Sequence, residues 1–119
     1  MMTAMTDLET TPDLAPSSET LMHAAEVARL LADGTRLAIL ATLRGGVEKS
    51  VTTLAEELGR PTPGVSQHLA KLRAGRLVGS RRDGTTIRYS LTNEHVDLLV
   101  TNVLLHSEHL AYEIPPHHR

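Results

Sequence analysis

The stretch TPGVSQHLAKLRAGRLVGSRRDGTTIRYSL, residues 62–91, changes its hydrophobic period half-way along. Val65, Leu69 and Leu72 recur at the spacing of one helix face. Thr62 is read as the N-cap of that helix and Pro63 as its first residue, where a missing N–H costs nothing. From Leu77 the pattern alternates instead. Residues 77–82 and 86–91 read as two strands, and Asp83-Gly84 between them is a strong hairpin signal. A short helix followed directly by a twisted hairpin is half of a DNA-reading architecture; the other half must lie upstream.

It does. Ser50 offers a cap to a short helix carrying Leu54, Ala55 and Leu58, which Gly59 closes. Before it, Asp33-Gly34-Thr35 starts a helix with the stripe Leu37, Ile39, Leu40 and Leu43, stopped by Gly45-Gly46. Further upstream, Ser17 and Ser18 offer an N-cap, with Leu21, Ala24, Ala25, Ala28 and Leu31 at helical spacing behind them. Downstream, a last helix runs from about Glu94 to His109 or beyond, and Pro115-Pro116 ends regular structure. The expected fold class is mainly α with a β-hairpin wing, a winged helix-turn-helix that dimerises through its terminal helices. Residues 1–17 are expected to be a flexible acidic tail, 18–111 the DNA-binding and dimerisation domain, and 112–119 a His-containing tail.

Composition narrows the chemistry. The 119 residues contain no Cys, Phe or Trp. An aliphatic core of modest size without disulfides often gains stability by oligomerising. Without Cys there is no thiolate nucleophile, redox pair or soft-metal site, so any metal must be held by nitrogen and oxygen. The same absence fits a reducing cytoplasm, which is the expected location. No apolar run approaches the roughly 20 residues needed to span a membrane. Neither a membrane nor a small-molecule substrate is expected as a partner.

The formal net charge is −2, which by itself argues against nucleic acid. Its distribution argues the opposite. Within residues 60–88, Arg60, Lys71, Arg73, Arg76, Arg81, Arg82 and Arg88 face only Asp83, a local balance of +6. That concentration is the footprint phosphates require. On the helix 62–74, Ser66, Gln67, Ala70, Lys71 and Ala74 lie opposite the apolar stripe. Ser66 and Gln67 are placed for base edges in the major groove, glutamine being suited to adenine. Lys71 and Arg73 on the helix, with Arg82 and Arg88 on the wing, are placed for phosphates. His68 is placed for a base or a phosphate.

The runs Leu31–Leu40 (LADGTRLAIL), Val65–Arg73 (VSQHLAKLR) and Arg81–Tyr89 (RRDGTTIRY) resemble the ArsR/SmtB family of metal-responsive repressors. Together with the last helix, the likeness covers roughly residues 20–110. It implies a homodimer that binds a palindromic double-stranded DNA operator and releases it when metal binds.

Five of the seven His fall in the last 25 residues. At about 100° per residue, His106 and His109 lie about +20° and −40° from His95, so all three share one helix face. Along the axis His95 and His106 are about 16 Å apart, whereas metal–ligand bonds are near 2 Å. An antiparallel partner helix resolves this. If two copies cross near residue 101, His95 of one meets His106 and His109 of the other, giving two symmetric sites. Leu98, Leu99, Asn102 and Leu105 lie between them as a seam.

The resemblance adds further ligands. Asn93 stands where the family's site usually has Asp. Asn93-Glu94-His95-Val96 and the tail Ile114–Arg119 resemble nickel- and cobalt-sensing members, as does His106-Ser107-Glu108-His109. That likeness brings Glu108, His117 and His118 into the site, although Glu108 lies about 140° from the His95 face and reaches it only where the helix bends or ends. Many N/O donors favour a higher coordination number, which suits Ni(II) or Co(II) better than four-coordinate Zn(II). Because ligating imidazoles must be neutral, the metal response is expected to fade below about pH 6. Two other readings stay open: a zinc-responsive repressor of the same family, and a winged-helix regulator with a non-metal effector. A zinc hydrolase would need a cleft and a general base beside the metal. Glu108 is the only candidate base, so no enzyme is expected.

Overall fold

The computed structural model describes residues 15–113, with side chains to residue 111. Along the chain they form α1 (Ser18–Leu31), α2 (Gly34–Thr42), β1 (Lys49–Ser50), α3 (Val51–Leu58), α4 (Thr62–Ala74), β2 (Val78–Asp83), β3 (Thr86–Leu91) and α5 (Glu94–Glu113). The expectations for residues 1–14 and for His117 and His118 lie outside the described residues.

Local chemistry sets the helix boundaries. Ser17, Asp33 and Ser50 each use a side-chain oxygen to accept a backbone N–H in the first turn, from Thr20, Arg36 and Thr53 respectively. Each satisfies a donor that the helix cannot. Gly59 ends α3 in the left-handed region at φ 63, where glycine carries no Cβ penalty. The start of α4 differs by one residue from expectation. Pro61, not Thr62, is the N-cap, at φ −64 and ψ 138, and no side chain caps the helix. The fixed φ of proline suits that extended cap position. The turn is solvent-exposed, so water meets the free donors.

The wing is also shifted slightly. Asp83 pairs with Thr86, leaving Gly84-Thr85 as the two-residue loop rather than Asp83-Gly84. Gly84 takes φ +68 while Thr85 keeps a negative φ, which is the type II′ rather than the type I′ arrangement. A third strand escapes sequence reading altogether. β1 pairs with β3 through Lys49↔Tyr89 and Ser50↔Arg88, giving the order β1-β3-β2. Two residues are too few to show an alternating pattern.

The core is aliphatic: Ile39, Leu40 and Leu43 of the α2 segment, Leu54 of α3, Val65, Leu69 and Leu72 of α4, Val78 of the wing and Val100 of α5 are fully buried. Leu37 stays partly exposed. The α1 stripe behaves differently from the rest. Leu21, Ala24, Ala25 and Ala28 are exposed, and α1 instead leans on the core through Val27, Leu30 and Leu31. On α5, Val96 and Val100 point inward while Leu98, Leu99, Leu105 and Leu110 stand in solvent. The helix runs beyond His109 to Glu113, directly before Ile114-Pro115 in the sequence.

Helix α4 closes on itself through two hydrogen bonds, Leu77 N to Leu72 O at 2.9 Å and Arg76 N to Arg73 O at 2.9 Å. This paired closure places residue 76 in the left-handed region, where glycine is usual. Here the glycine sits one position earlier, and Arg76 takes φ 62. A Cβ at Gly75 would overlap Leu30 Cδ1, so a larger residue at 75 would require the tip of the Leu30 side chain to move.

Candidate nucleic-acid interface and histidine face

Helices α3 and α4, joined by Gly59-Arg60-Pro61, form a helix-turn-helix with the β2–β3 hairpin behind it. Val65, Leu69 and Leu72 bury one face of α4, which leaves Ser66, Gln67, Ala70, Lys71, Arg73 and Ala74 exposed. Short side chains there permit close approach to a groove. The expected base-edge and phosphate residues of α4 thus lie on its solvent side.

His68 is the exception. It is half-buried, and its ring faces the α1–α2 junction. Nδ1 lies 3.5 Å from Arg36 Nη1, and Nε2 lies 3.9 Å from Asp33 Oδ2. Arg36 also donates Nε to Leu30 O at 2.8 Å and Nη2 to Arg29 O at 3.1 Å. Its guanidinium therefore caps the end of α1, taking the Leu30 carbonyl and sharing the Arg29 carbonyl with the Ala32 N–H. Asp33 Oδ2 accepts the Arg36 backbone N–H at 2.9 Å. That hydrogen bond, with lesser help from the charges of His68 and Arg36, holds the Asp33 carboxyl below its ordinary pKa. Arg36 was invisible to sequence reading, because an arginine reaching back to the preceding helix leaves no periodic trace.

On the wing, Arg82 points into solvent, whereas its neighbours are tied down. Arg88 Nε donates to Asp83 Oδ2 at 2.9 Å. Arg81 donates to Glu48 through Nε, at 2.8 and 3.0 Å, and through Nη2 at 2.8 Å. The Arg81 hydrogen bonds hold the Glu48 carboxyl below its ordinary pKa, and Arg88 does the same to Asp83. Both pairs stay ionised at neutral pH. Glu48 lies 33 positions from Arg81, a separation no local pattern reveals.

On α5, His95, His106 and His109 are exposed, as are Leu98, Leu99, Asn102 and Leu105 between them. Among the described residues no three His, Asp or Glu of one chain gather closely enough to hold a metal ion. This matches the axial distance between His95 and His106 along one helix. The donor set of exposed imidazoles without thiolate fits a borderline divalent cation. Asn93 already serves the helix itself, since its Oδ1 accepts the Val96 N–H at 3.1 Å and so caps α5. Ligation by Asn93 would have to use the remaining lone pair of that oxygen. Glu108 is exposed near the end of α5.

Comparison with known proteins places this arrangement. A family model described as a helix-turn-helix domain matches residues 31–81. The chain is 52% identical over 108 residues to the transcriptional regulator KmtR of Mycobacterium tuberculosis, covering 91% of this chain and 82% of that protein. The chain belongs to the ArsR/SmtB family. A second such regulator from the same organism, NmtR, is 37% identical over 107 residues, covering 90% of this chain and 88% of its own length. Among solved structures, the homodimeric winged helix-turn-helix DNA-binding domain of a possible ArsR-family regulator from Mycobacterium bovis superposes with a TM-score of 0.72 at 33% identity, covering 79% of this chain and 86% of that one. The expected fold class is therefore the observed one, and these relatives are transcriptional regulators rather than enzymes. No helix among the described residues is long and apolar enough to cross a membrane.

Proposed function

We propose that this ArsR/SmtB regulator is a homodimeric repressor of a palindromic operator, released by Ni(II) or Co(II) held between subunits on α5. The observation that carries the reading is a single face of α5 on which His95, His106 and His109 alternate with leucines that one chain leaves in water, Leu98 at 59% and Leu105 at 55% exposure. Exposed apolar surface of this kind marks an interface. Two antiparallel α5 helices would cover the leucines and bring His95 of one protomer to the partner's His106 and His109.

In that dimer Ser66 and Gln67 of each α4 read base edges, and Lys71, Arg73, Arg82 and Arg88 hold phosphates. Two-fold symmetry matches half-sites about 34 Å apart. When bound, the cation supplies a coordinate cross-link between the two α5 helices. Glu108, and His117 and His118 beyond the helix, are the further donors that would raise the coordination number. A dimer geometry preferred by the cross-linked helices but mismatched to the operator would weaken DNA binding by about 5–150-fold, the range of a typical coupling free energy.

The test is operator binding by fluorescence anisotropy, with and without Ni(II), Co(II) or Zn(II). Wild type is expected to lose affinity with nickel or cobalt, and His95→Ala/His106→Ala to keep DNA binding but lose the response. Unchanged affinity with all three metals would remove the sensing part of the proposal. The Co(II) absorption spectrum separates the metals: weak ligand-field bands support six-coordination, and intense bands favour a tetrahedral zinc-type site.

A further inference from the structure

A cavity of about 800 Å³ opens between α1 and α4, away from the histidine face. Its volume falls in the range of small-molecule sites, about 300–1,000 Å³. Val27, Leu30 and Ala74 give it an apolar wall, and Arg29, Arg36, Lys71 and Arg76 bring four positive charges against the single carboxylate of Glu26. Arg36 is fixed by its bonds to α1 carbonyls. The side chains of Arg29, Lys71 and Arg76 have no acidic partner among the described residues, unlike Arg81, Arg88 and Lys49, which are paired.

A second, independent feature points to the same place. Arg76 holds φ 62, at the position where this kind of helix ending favours glycine. A non-glycine residue kept in a left-handed conformation signals a demand on its side chain. Glycine would satisfy the backbone better, but it would remove the Arg76 side chain that lines the cavity.

We infer that the α1–α4 cavity is a second effector site, for a small organic anion with an apolar body such as a phosphate ester or carboxylate. Guanidinium groups of Arg29 and Arg76 and the Lys71 ammonium receive the anionic end, and Val27, Leu30 and Ala74 take the apolar part. Lys71 and Ala74 belong to the recognition helix, so an occupant spanning the cavity fixes that helix against α1 and alters its freedom to enter DNA.

The probe is phenyl phosphate, titrated into the full-length, metal-free protein and followed by amide chemical shifts. Saturable shifts at Val27, Leu30, Ala74 and Gly75 are expected. In Arg76→Gly the affinity should fall on the order of tenfold, as loss of one charge-assisted contact implies, and Arg76→Lys should recover part of it. Folding is not at risk, because glycine relieves the left-handed strain and the variant should melt no lower than wild type. Absence of saturable shifts, or equal binding by wild type and Arg76→Gly, overturns the inference. So does the pattern in which phenyl phosphate does not bind and Arg76→Gly lowers the salt dependence of operator binding by about one phosphate contact; the cations then serve the DNA backbone.

Discussion

Replacing Glu48 by Gln tests whether the wing holds an arginine in reserve. Arg81 is clasped by both Glu48 oxygens at 2.8–3.0 Å, and Arg81 keeps that carboxyl ionised to well below neutral pH. Glu48 occupies the Nε–Nη2 edge of Arg81 and offsets its charge, and the carboxylate also opposes the approach of DNA. Glutamine keeps the shape of the side chain and one acceptor oxygen but not the charge. If Arg81 is thereby freed to neutralise one additional phosphate, the slope of log affinity against log salt steepens by about 0.9. Since that contribution vanishes near 1 M salt, it corresponds to about eightfold tighter binding at 0.1 M. Thermal stability should barely move, because exposed ion pairs contribute little. The assay is fluorescence anisotropy on an operator duplex and an unrelated duplex across a salt series. Both should gain similarly, as backbone contacts carry no sequence information. A salt slope identical to wild type on both duplexes would show that Arg81 never reaches a phosphate and refute the reasoning.

Leu98→Glu with Leu105→Glu should convert the dimer to monomer without unfolding it, since these side chains are already in solvent in one chain. Burying a leucine is worth about 1.5–3 kcal/mol, so sedimentation should show at least a tenfold rise in dissociation constant while circular dichroism stays unchanged. Asp33→Asn retains a capping side chain but removes the charge whose folded pKa lies below the ordinary 3.8. The depressed pKa means that the unfolded chain binds the proton first, so the contribution of this carboxylate is complete above 3.8 and disappears as pH falls through the folded value. The stability gap between wild type and Asp33→Asn in urea should therefore close on acidification; a gap that widens would contradict the assignment. Asn93→Ala should cost about 1 kcal/mol for the lost cap, whereas Asn93→Asp should keep the cap and, if position 93 also ligates, alter the Co(II) spectrum.

Much of the architecture was legible because it rests on short-range chemistry. The Val65/Leu69/Leu72 stripe, the capping residues Ser17, Asp33 and Ser50, and the alternation in 78–91 are each decided by neighbours a few positions away. What escaped is long-range. Strand β1 exists only because Lys49 and Ser50 meet β3. The Glu48–Arg81 clasp and the Arg36 bridge from α2 to α1 and α4 are tertiary contacts with no repeat to betray them. His68 shows the boundary between the two kinds. Its position on α4 lies next to solvent-facing Gln67, yet a single residue is a turn of about 100°, enough to carry it from the solvent side to Asp33 and Arg36.

That turn bears on how the recognition helix is governed. Arg36 bonds to the last carbonyls of α1 and lies against His68 of α4, while its backbone N–H is held by Asp33. One arginine thus links three helices at the point where they converge. Helix α1 presents Leu21 and Met22 to solvent at 56% and 62% exposure, and with the leucines of α5 this is the apolar surface a partner would cover. A shift of α1 against a partner would be passed to α4 through these directional bonds and through the Gly75–Leu30 approach. The recognition helix is therefore tied to a helix with an exposed apolar face, which is what a regulator requires if events at a subunit interface are to reach DNA.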